Sequence, residues 1–197
     1  KAAGCSALML TLDLQILGQR HKDIKNGLSS PPKLTLKNIL DMAMRPRWCM
    51  NMLQTPRRTF GNIVGHVDGV SDTSRLSAWV GEQFDLQLNW DDVERIRDWW
   101  GGKLILKGVL DAEDAAMAAK TGADALIVSN HGGRQLDGAE SSIAMLSEIE
   151  AAVGKDIEVW MDGGIRSGQD ILKAVALGAK GTLLGRSFLY GLGAGGE

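Results

Sequence analysis

The segment with the clearest chemical content combines a base and a cation within nine residues. An imidazole stands three residues before a guanidinium, and glycines between them let the backbone turn close to a ligand. Histidine changes its charge near neutral pH, and arginine offers a planar fork for a carboxylate, so the pair suits proton abstraction from a molecule that carries a carboxylate. The spacing alone also suits a structural loop histidine. The string is Ser129-Asn130-His131-Gly132-Gly133-Arg134-Gln135-Leu136-Asp137.

Two further strings suit a phosphate group. Each combines glycines, whose backbone amides can approach an anion, with an arginine, and the first also precedes a predicted helix start. An Asp-Gly-Gly turn alone is a common loop, but the two strings stand about twenty residues apart at the ends of consecutive strands. They are Asp162-Gly163-Gly164-Ile165-Arg166-Ser167-Gly168 and Gly185-Arg186.

A repeated pattern positions these strings. Three segments share one pattern: a glycine that would stop a helix, then a small residue, then a buried strand. In each segment one residue stands seven places after the glycine, and these residues are Thr11, Ser129 and Gly185. Two more apolar runs end in Lys107 and Asp162. Helices are predicted between the runs, so the strands form a parallel sheet. Because parallel strands place their carboxyl ends on one side, all five of these residues are expected on a single rim.

The predicted fold is α/β, a (β/α)8 TIM barrel of which this chain holds about the last five β/α units. Such a barrel needs eight strands and roughly 250 residues, with its chemistry at the carboxyl rim. Five strands in 197 residues, starting at Lys1 as if in mid-fold, predict a C-terminal part spanning 1–197. An open barrel exposes strand edges, so we expect the isolated chain to be poorly active and marginally stable.

The string from Ser129 to Asp137 resembles the signature of the FMN-dependent 2-hydroxy-acid dehydrogenase and oxidase family. The resemblance extends from Leu10-Thr11-Leu12-Asp13 through Lys107-Gly108 to Gly185-Arg186. The bacterial membrane-associated L-lactate dehydrogenases are most similar. The strings shared with them are Arg97-Asp98-Trp99-Trp100, Leu106-Lys107-Gly108-Val109-Leu110-Asp111 and Gly185-Arg186-Ser187-Phe188-Leu189-Tyr190.

The resemblance assigns catalytic and substrate-binding residues. It implies that His131 takes the substrate proton and that Asp13 hydrogen-bonds the imidazole and stabilises its charged form. Arg134 would bind the substrate carboxylate, and Arg20 corresponds to a second active-site arginine. Taken without the resemblance, the preferred interpretation of Arg20 is a solvated loop charge.

The resemblance also implies bound FMN. Lys107 would lie against the flavin and stabilise its anionic reduced ring, although a strand-end lysine in water is the alternative. Thr11 and Ser129 would bond the flavin ring and ribityl chain. The phosphate region would be formed by Asp162, Gly163, Gly164, Arg166, Gly185 and Arg186.

The implied reaction is oxidation of an L-2-hydroxy acid, foremost L-lactate, to the 2-oxo acid, with electrons passing to a quinone or cytochrome. The alternatives are an oxidase that uses oxygen, or an inactive flavin-binding fragment, since the family's N-terminal half supplies an active-site tyrosine. Whether the proton leaves carbon or oxygen first stays open. Family members commonly form homo-oligomers.

A long insertion at about 21–91 separates the first two strands. Helices are predicted over Leu34–Met44, Ser74–Val80 and Asp91–Trp100. Between them lies an apolar and cationic stretch, whose counterpart in membrane-associated family members contacts lipid. Packing over the barrel rim or a subunit interface is the alternative. The stretch comprises Met42, Met44, Trp48, Met50, Met52 and Leu53, with Arg45, Arg47, Arg57 and Arg58.

Several classes of function are disfavoured. A net charge of -2 gives no reason to expect nucleic-acid binding, and the three histidines are too dispersed to suggest a metal site. Two cysteines favour a reducing compartment, so we expect a cytoplasmic protein, with the inner-membrane surface as a peripheral location. The string Gly191-Leu192-Gly193-Ala194-Gly195-Gly196 resembles a dinucleotide fingerprint but follows a helix-like segment instead of a strand.

Overall fold

The computed structural model describes residues 2–16, 18–27, 34–56, 60–64, 66–67 and 73–196. The chain divides into two compact units. One comprises Lys1–Gln19 and Asp85–Glu197, and the other comprises Arg20–Phe84. The first unit carries the five strands of the described residues.

The described strands alternate with helices, as the sequence predicts. In chain order they are β1 (Ala7–Thr11), α1 (His21–Lys25), α2 (Leu36–Ala43), α3 (Pro46–Gln54), α4 (Thr73–Glu82), α5 (Trp90–Trp100), β2 (Lys103–Val109), α6 (Ala112–Lys120), β3 (Ala125–Val128), α7 (Ser142–Val153), β4 (Glu158–Asp162), α8 (Gly168–Ala176), β5 (Thr182–Leu183) and α9 (Arg186–Gly195), with a 3-10 turn at His131–Gly133 between β3 and α7.

The sheet is parallel throughout, and its spatial order equals its chain order, β1-β2-β3-β4-β5. Thr11 pairs with Lys107, Lys107 with Ile127, and Asp162 with Leu183. This register places the carboxyl ends of the strands side by side. The five consecutive β/α units match those of a (β/α)8 barrel, which confirms the predicted fold class.

The hydrophobic core lies between one face of the sheet and the helices of the first unit. Alternate strand residues point to this face because side chains in a strand alternate. The residues in between, among them Lys107 and Asp162, point to the opposite face, which corresponds to the barrel interior. The core includes Leu104, Leu106, Val109, Ala115, Ala118, Leu126, Val128, Leu146, Ile149, Val153, Val159 and Met161.

Helix starts follow the capping residues in the sequence. Asp111 accepts from the amides of Glu113 and Asp114 at the start of α6. Asn89 and Asp92 form a capping box at the start of α5, the helix predicted over Asp91–Trp100. The predicted helices over Leu34–Met44 and Ser74–Val80 are present as α2 and α4, whereas α3 was not predicted.

The strand prediction was wrong at one end. The sequence placed the end of the second strand at Lys107, but β2 continues to Val109 with a register irregularity between Lys107 and Val109. Gly108, with φ +100°, accommodates this bulge because it lacks a Cβ. Lys107 therefore lies within the strand and not in the following loop.

In the part of the chain that the structure describes, no helix is both long enough and apolar enough to cross a lipid bilayer.

Asp124 fastens the amino end of β3 to β2. Its carboxylate accepts a hydrogen bond from Lys103 Nζ at 2.5 Å and from the Leu104 amide at 3.0 Å, and Arg97 Nη1 lies at 3.7 Å. The bond from Lys103 and then the bond from the Leu104 amide hold the pKa of Asp124 below its ordinary value of 3.8. This carboxylate stabilises the fold only in its charged form.

We predict that Asp124→Asn lowers the free energy of unfolding at pH 7 by about 1 kcal/mol, since the ion pairs are partly open to solvent. A lowered folded-state pKa contributes stability above the ordinary pKa, and that contribution disappears as pH falls through the folded-state value. Denaturant titrations from pH 7 to pH 3 should therefore show the variant and the unmodified protein converging at the acid end. The exposed Asp156→Asn is the control, and an Asp124→Asn deficit that persists undiminished at pH 3 would contradict this account.

Candidate active site

A cavity of about 970 Å³ opens at the carboxyl ends of the strands, within the range of about 300–1,000 Å³ usual for small-molecule sites. Both the His131–Arg134 segment and the two predicted phosphate strings line it. Four cations face two carboxylates in its wall, so the cavity favours an anionic ligand. These charged residues are Lys107, Arg134, Arg166, Arg186, Asp137 and Asp162.

The imidazole of His131 contacts a carboxylate from the neighbouring part of the rim. His131 Nδ1 lies 3.3 Å from Asp13 Oδ1, and both side chains are largely shielded from solvent. Asp13 stands two residues beyond the end of β1, and His131 stands three beyond β3. The contact fixes Nδ1 and leaves Nε2 as the nitrogen that can exchange a proton with a ligand.

Gly108 makes room for Asp13. A Cβ atom at this position would lie 2.7 Å from Asp13 Cγ and 2.8 Å from Asp13 Cβ, well inside contact distance. The bulge in β2 and the missing side chain thus let the carboxylate reach His131. The sequence shows the glycine after Lys107, but not that it faces Asp13.

Lys107 is held by two polar partners, Ser129 just after β3 and Asp162 at the end of β4. Its Nζ donates to Ser129 Oγ at 3.0 Å and lies 3.0 Å from Asp162 Oδ2. Only 12% of the Lys107 side chain is exposed, which excludes the alternative of a lysine in open water. The other oxygen of Asp162, Oδ1, is buried and has no hydrogen-bond partner in the described part of the protein.

Arg134 stands at the end of the 3-10 turn and lines the cavity. The loop after β1 packs closely against its backbone, since a Cβ on Gly18 would overlap the Arg134 carbonyl oxygen. Gln135 Nε2 donates to Ile16 O at 2.8 Å and ties the same two loops together. These contacts fix the backbone that carries the guanidinium.

The two predicted phosphate strings meet in the wall of the cavity. Gly163 and Gly164 have left-handed backbones, with φ +87° and +78°, and both line the cavity with Arg166, Gly185 and Arg186. Ser187 Oγ donates to Ile165 O at 2.9 Å and joins the strings. Arg186 Nη2 also donates to Gly132 O at 2.7 Å, so it contacts the His131 turn.

One part of the phosphate expectation needs correction. The start of α8 was expected to offer open backbone amides, but the amides of Arg166 and Ser167 donate to Asp170 Oδ2 at 3.1 and 3.0 Å. The bond from the Arg166 amide, followed by the Ser167 hydroxyl, lowers the pKa of Asp170. Because these amides already bond the Asp170 carboxylate at the helix start, an anion would be bound by Gly163, Gly164 and the arginines.

Two further residues were predicted for the site, Thr11 and Arg20. Thr11 is the last residue of β1 and pairs with Lys107. Arg20 directly precedes α1 in the second unit. Its assignment as a second active-site arginine stays a prediction.

The residues that sequence reasoning missed are those that support the site. Asn130 and Ser142 hold the His131 turn by hydrogen bonds, and Gly18 and Gly108 leave space for neighbouring loops. The available signal was weak. Asn130 lies inside the recognised string, but nothing in the string shows which backbone groups it bonds.

Comparison with known proteins identifies this arrangement. The family description "FMN-dependent dehydrogenase" matches residues 1–197. The chain belongs to the FMN-dependent dehydrogenase family. The family resemblance inferred from the His131 string is thereby confirmed.

Individual relatives agree with this membership. The chain is 43% identical to an L-lactate dehydrogenase of Actinobacillus pleuropneumoniae serotype 5b (strain L20), over 100% of this chain and 52% of that protein. It is 44% identical to an L-lactate dehydrogenase of Caulobacter sp. (strain K31), over 98% of this chain and 51% of that protein. The chain thus spans about half the length of the curated relatives it matches.

Solved structures extend the comparison to the fold. The monotopic membrane protein (S)-mandelate dehydrogenase superimposes with a TM-score of 0.90 at 39% identity, covering 99% of this chain and 51% of that one. A mandelate oxidase superimposes with a TM-score of 0.72 at 36% identity, covering 99% and 47%. The five described strands thus lie within a region shared with both structures.

The residues of the cavity fit FMN. Arg166 and Arg186 suit its phosphate, because guanidinium groups bind phosphate through charge-assisted hydrogen bonds. The buried Asp162 Oδ1 lacks a donor among the described residues, and a ribityl hydroxyl would supply one. Lys107 offers a shielded positive charge for an anionic ring.

We predict that Gly108→Ala destabilises the protein by roughly 2–3 kcal/mol, because it adds a clash with Asp13 to an unfavourable backbone angle. Gly138→Ala is a matched control, since Gly138 has φ +85° but no atom within 4 Å of its added Cβ. Denaturant unfolding of both variants separates the clash from the backbone cost. Equal losses of stability in the two variants would show that the Asp13 contact is not what requires glycine.

Proposed function

We propose that the whole protein oxidises an L-2-hydroxy acid, with L-lactate as the first candidate, to the corresponding 2-oxo acid with bound FMN. The proposal is carried mainly by the convergence of the Asp13–His131 pair, Arg134 and Lys107 around one anion-favouring cavity. The similarity to two L-lactate dehydrogenases supports lactate.

His131 is the proposed base. Oxidation of a 2-hydroxy acid removes two protons and two electrons, and His131 Nε2 is free to take one proton from the substrate while Nδ1 faces Asp13. Asp13 orients the ring and stabilises the positive charge that the imidazole acquires. Bound FMN would supply the acceptor for the two electrons and for the second proton.

Arg134 is the proposed ligand of the substrate carboxylate. A guanidinium can hold a carboxylate with two parallel hydrogen bonds, which fixes the orientation of the carbon between them and the base. Its placement three residues from His131 gives both groups access to one small molecule. We assign Arg20 to the same carboxylate as a second cation.

The flavin-holding residues divide by chemistry. Lys107, supported by Ser129 and Asp162, would stabilise negative charge on the reduced ring. Thr11 and Ser129 offer hydroxyls to the ring and ribityl chain. The phosphate would be bound by Gly163, Gly164, Arg166, Gly185 and Arg186.

The proposed electron acceptor is a quinone or cytochrome, and oxygen is the second candidate because a mandelate oxidase is among the similar structures. Hydrogen peroxide release by the purified whole protein during turnover separates them. A stoichiometric yield of peroxide would favour the oxidase.

We predict that L-lactate reduces the flavin of the whole protein under anaerobic conditions and that His131→Asn slows this reduction about 10²- to 10⁴-fold, the usual contribution of a general base. Arg134→Lys should instead raise the substrate concentration for half-maximal rate by roughly 10-fold or more, since lysine cannot form the bidentate contact. Stopped-flow spectra of flavin bleaching measure both effects.

Glycolate and L-mandelate, tested in the same way, define the substrate class. His66→Asn serves as the matched histidine control and should leave the rate unchanged. Failure of the unmodified protein to bleach with any 2-hydroxy acid would refute the proposed function, and full activity of His131→Asn would refute the assignment of the base.

We also propose that the second unit attaches the protein to a membrane surface, on the cytoplasmic face. Helices α2 and α3 expose apolar side chains beside arginines, a combination suited to an anionic lipid interface. Trp48 is 49% exposed, Met50 59% and Leu53 73%, next to the exposed Arg45 and Arg47. Arg57 and Arg58 lie outside the described residues. The similarity to a monotopic membrane protein supports the proposal.

We predict that a triple variant, Trp48→Ser, Met50→Ser and Leu53→Ser, moves the whole protein from the membrane fraction to the supernatant after lysis. Each apolar side chain removed from an interface weakens attachment by on the order of 1–2 kcal/mol. Trp99→Ser, which alters a 72% exposed tryptophan of the first unit, is the control. Sedimentation of vesicles containing anionic lipid measures binding, and unchanged co-sedimentation of the triple variant would refute the proposal.

A further inference from the structure

The backbone at His131 has a conformation that its side chain disfavours. His131, Gly132 and Gly133 have φ values of +55°, +65° and +69°, so three successive residues are left-handed. Glycine adopts this conformation without cost, but a residue with a Cβ does so only when its surroundings impose it. His131 is the only described non-glycine residue with positive φ. Something next to the turn must therefore hold it.

Asn130 makes hydrogen bonds on every side of this turn. Its Oδ1 accepts from the Gly132 amide at 2.9 Å, and its carbonyl oxygen accepts from the Gly133 amide at 2.9 Å. Its Nδ2 donates to Glu140 O at 3.1 Å, at the other end of the loop. The side chain thus links the turn to the segment that leads into α7.

A buried hydroxyl anchors Asn130 in turn. The Asn130 amide donates to Ser142 Oγ at 3.2 Å, and Ser142 is 3% exposed at the start of α7. The Gly163 loop closes over this pair, because a Cβ at position 163 would lie 3.1 Å from Asn130 Oδ1 and 3.2 Å from Ser142 Oγ. Asn130 therefore packs between the Gly163 loop and the start of α7.

We propose that Asn130, anchored by Ser142, is a positioning residue that keeps His131 in its left-handed turn with the imidazole directed at Asp13. The proposal rests on the proposed function, in which His131 takes the substrate proton. Asn130 contacts neither Asp13 nor the imidazole in the described hydrogen bonds and acts only through the backbone of the turn.

The position requires an amide and not a carboxylate. An aspartate at 130 would keep the acceptor for the Gly132 amide but lose the donor to Glu140 O, and would place a negative oxygen against that carbonyl. Asn130→Asp thus changes one end of the link while conserving the size of the side chain. Asn130→Ala removes both ends.

The first measurement is hydrogen–deuterium exchange of peptides covering 129–136 in the whole protein with FMN bound. Exchange of these amides should accelerate about tenfold or more in Asn130→Ala, because the Gly132 amide loses its acceptor. Asn130→Asp should accelerate this exchange less than Asn130→Ala does. Ser142→Ala should also accelerate it, because the Asn130 amide loses its acceptor. This measurement does not depend on the substrate.

The second measurement is turnover. Displacement of a catalytic group by about 1 Å can cost on the order of 100-fold in rate, so kcat should fall by about this factor in Asn130→Ala. KM should change little, because Gly18 and Gln135 hold the Arg134 backbone independently. Gln135→Ala is the complementary variant and should mainly raise KM.

Asp124→Asn is the matched control for stability, since it lies at the opposite end of the same strand. It should lower stability while leaving both kcat and the exchange of 129–136 unchanged. Wild-type exchange and wild-type kcat in the Asn130 variants would overturn the proposal, as would an equal loss of kcat in Asp124→Asn. If Asn130→Ala fails to fold, the exchange of 129–136 and kcat of Asn130→Asp and Ser142→Ala test the proposal in its place. If no 2-hydroxy acid reduces the flavin of the whole protein, but the exchange of 129–136 changes as predicted, the proposed function is refuted and the hydrogen-bond link is not.

Discussion

The parallel register of the sheet is the constraint on which the site depends. Five strands run in the same direction without a change of order, so their carboxyl ends share one rim. A shift of one residue between β2 and β3 would turn Lys107 towards the helices and remove it from Ser129, because successive side chains point to opposite faces. The apolar residues that fix the register, among them Leu104 and Leu126, are fully buried in the core. Packing on one face thus determines the chemistry on the other.

Charges at the rim are held in pairs. Lys107 lies against Asp162, and His131 lies against Asp13. Shielded charges are costly unless they have partners, so each pair stabilises a group that would otherwise be desolvated alone. Both pairs also leave one carboxylate oxygen, Asp13 Oδ2 or Asp162 Oδ1, buried without a partner among the described residues. Asp162 lines the cavity and Asp13 contacts His131. A ligand bound there would supply the hydrogen-bond donors that these oxygens lack.

Much of this arrangement could be predicted from the sequence. Buried strands, capping residues and glycine stops identified the five β/α units, and strand-end positions selected Lys107, Asp162 and the His131 segment. The continuation of β2 beyond Lys107 was missed because a lysine followed by glycine suggested a strand end, whereas Gly108 lies at a register irregularity within the strand. The capture of the α8 amides by Asp170 was missed because a capping box and an anion site share the same sequence features. Asn130 was missed because its partners are backbone groups of residues 132 and 140, which only the folded loop brings together.

The second unit shows a different limit of prediction. Helix α3 begins with Pro46 at its first position, which favours a helix start. The sequence nevertheless indicated only an apolar stretch with arginines at this place and not a helix. Its exposed apolar face lacks the periodic burial that identifies helices packed on a core. Surface chemistry was therefore easier to recognise than local structure.

The central claim is that the imidazole of His131, the guanidinium of Arg134 and the ammonium of Lys107 face one flavin and its substrate. A crystal structure of the whole protein with FMN and a 2-oxo acid bound tests it most directly. We expect Lys107 to contact the flavin ring, Arg134 to contact the ligand carboxylate in bidentate fashion, and His131 Nε2 to lie within hydrogen-bond distance of the ligand oxygen at C2. A structure in which FMN binds elsewhere, or in which His131 and Arg134 point away from the ligand, would contradict the account.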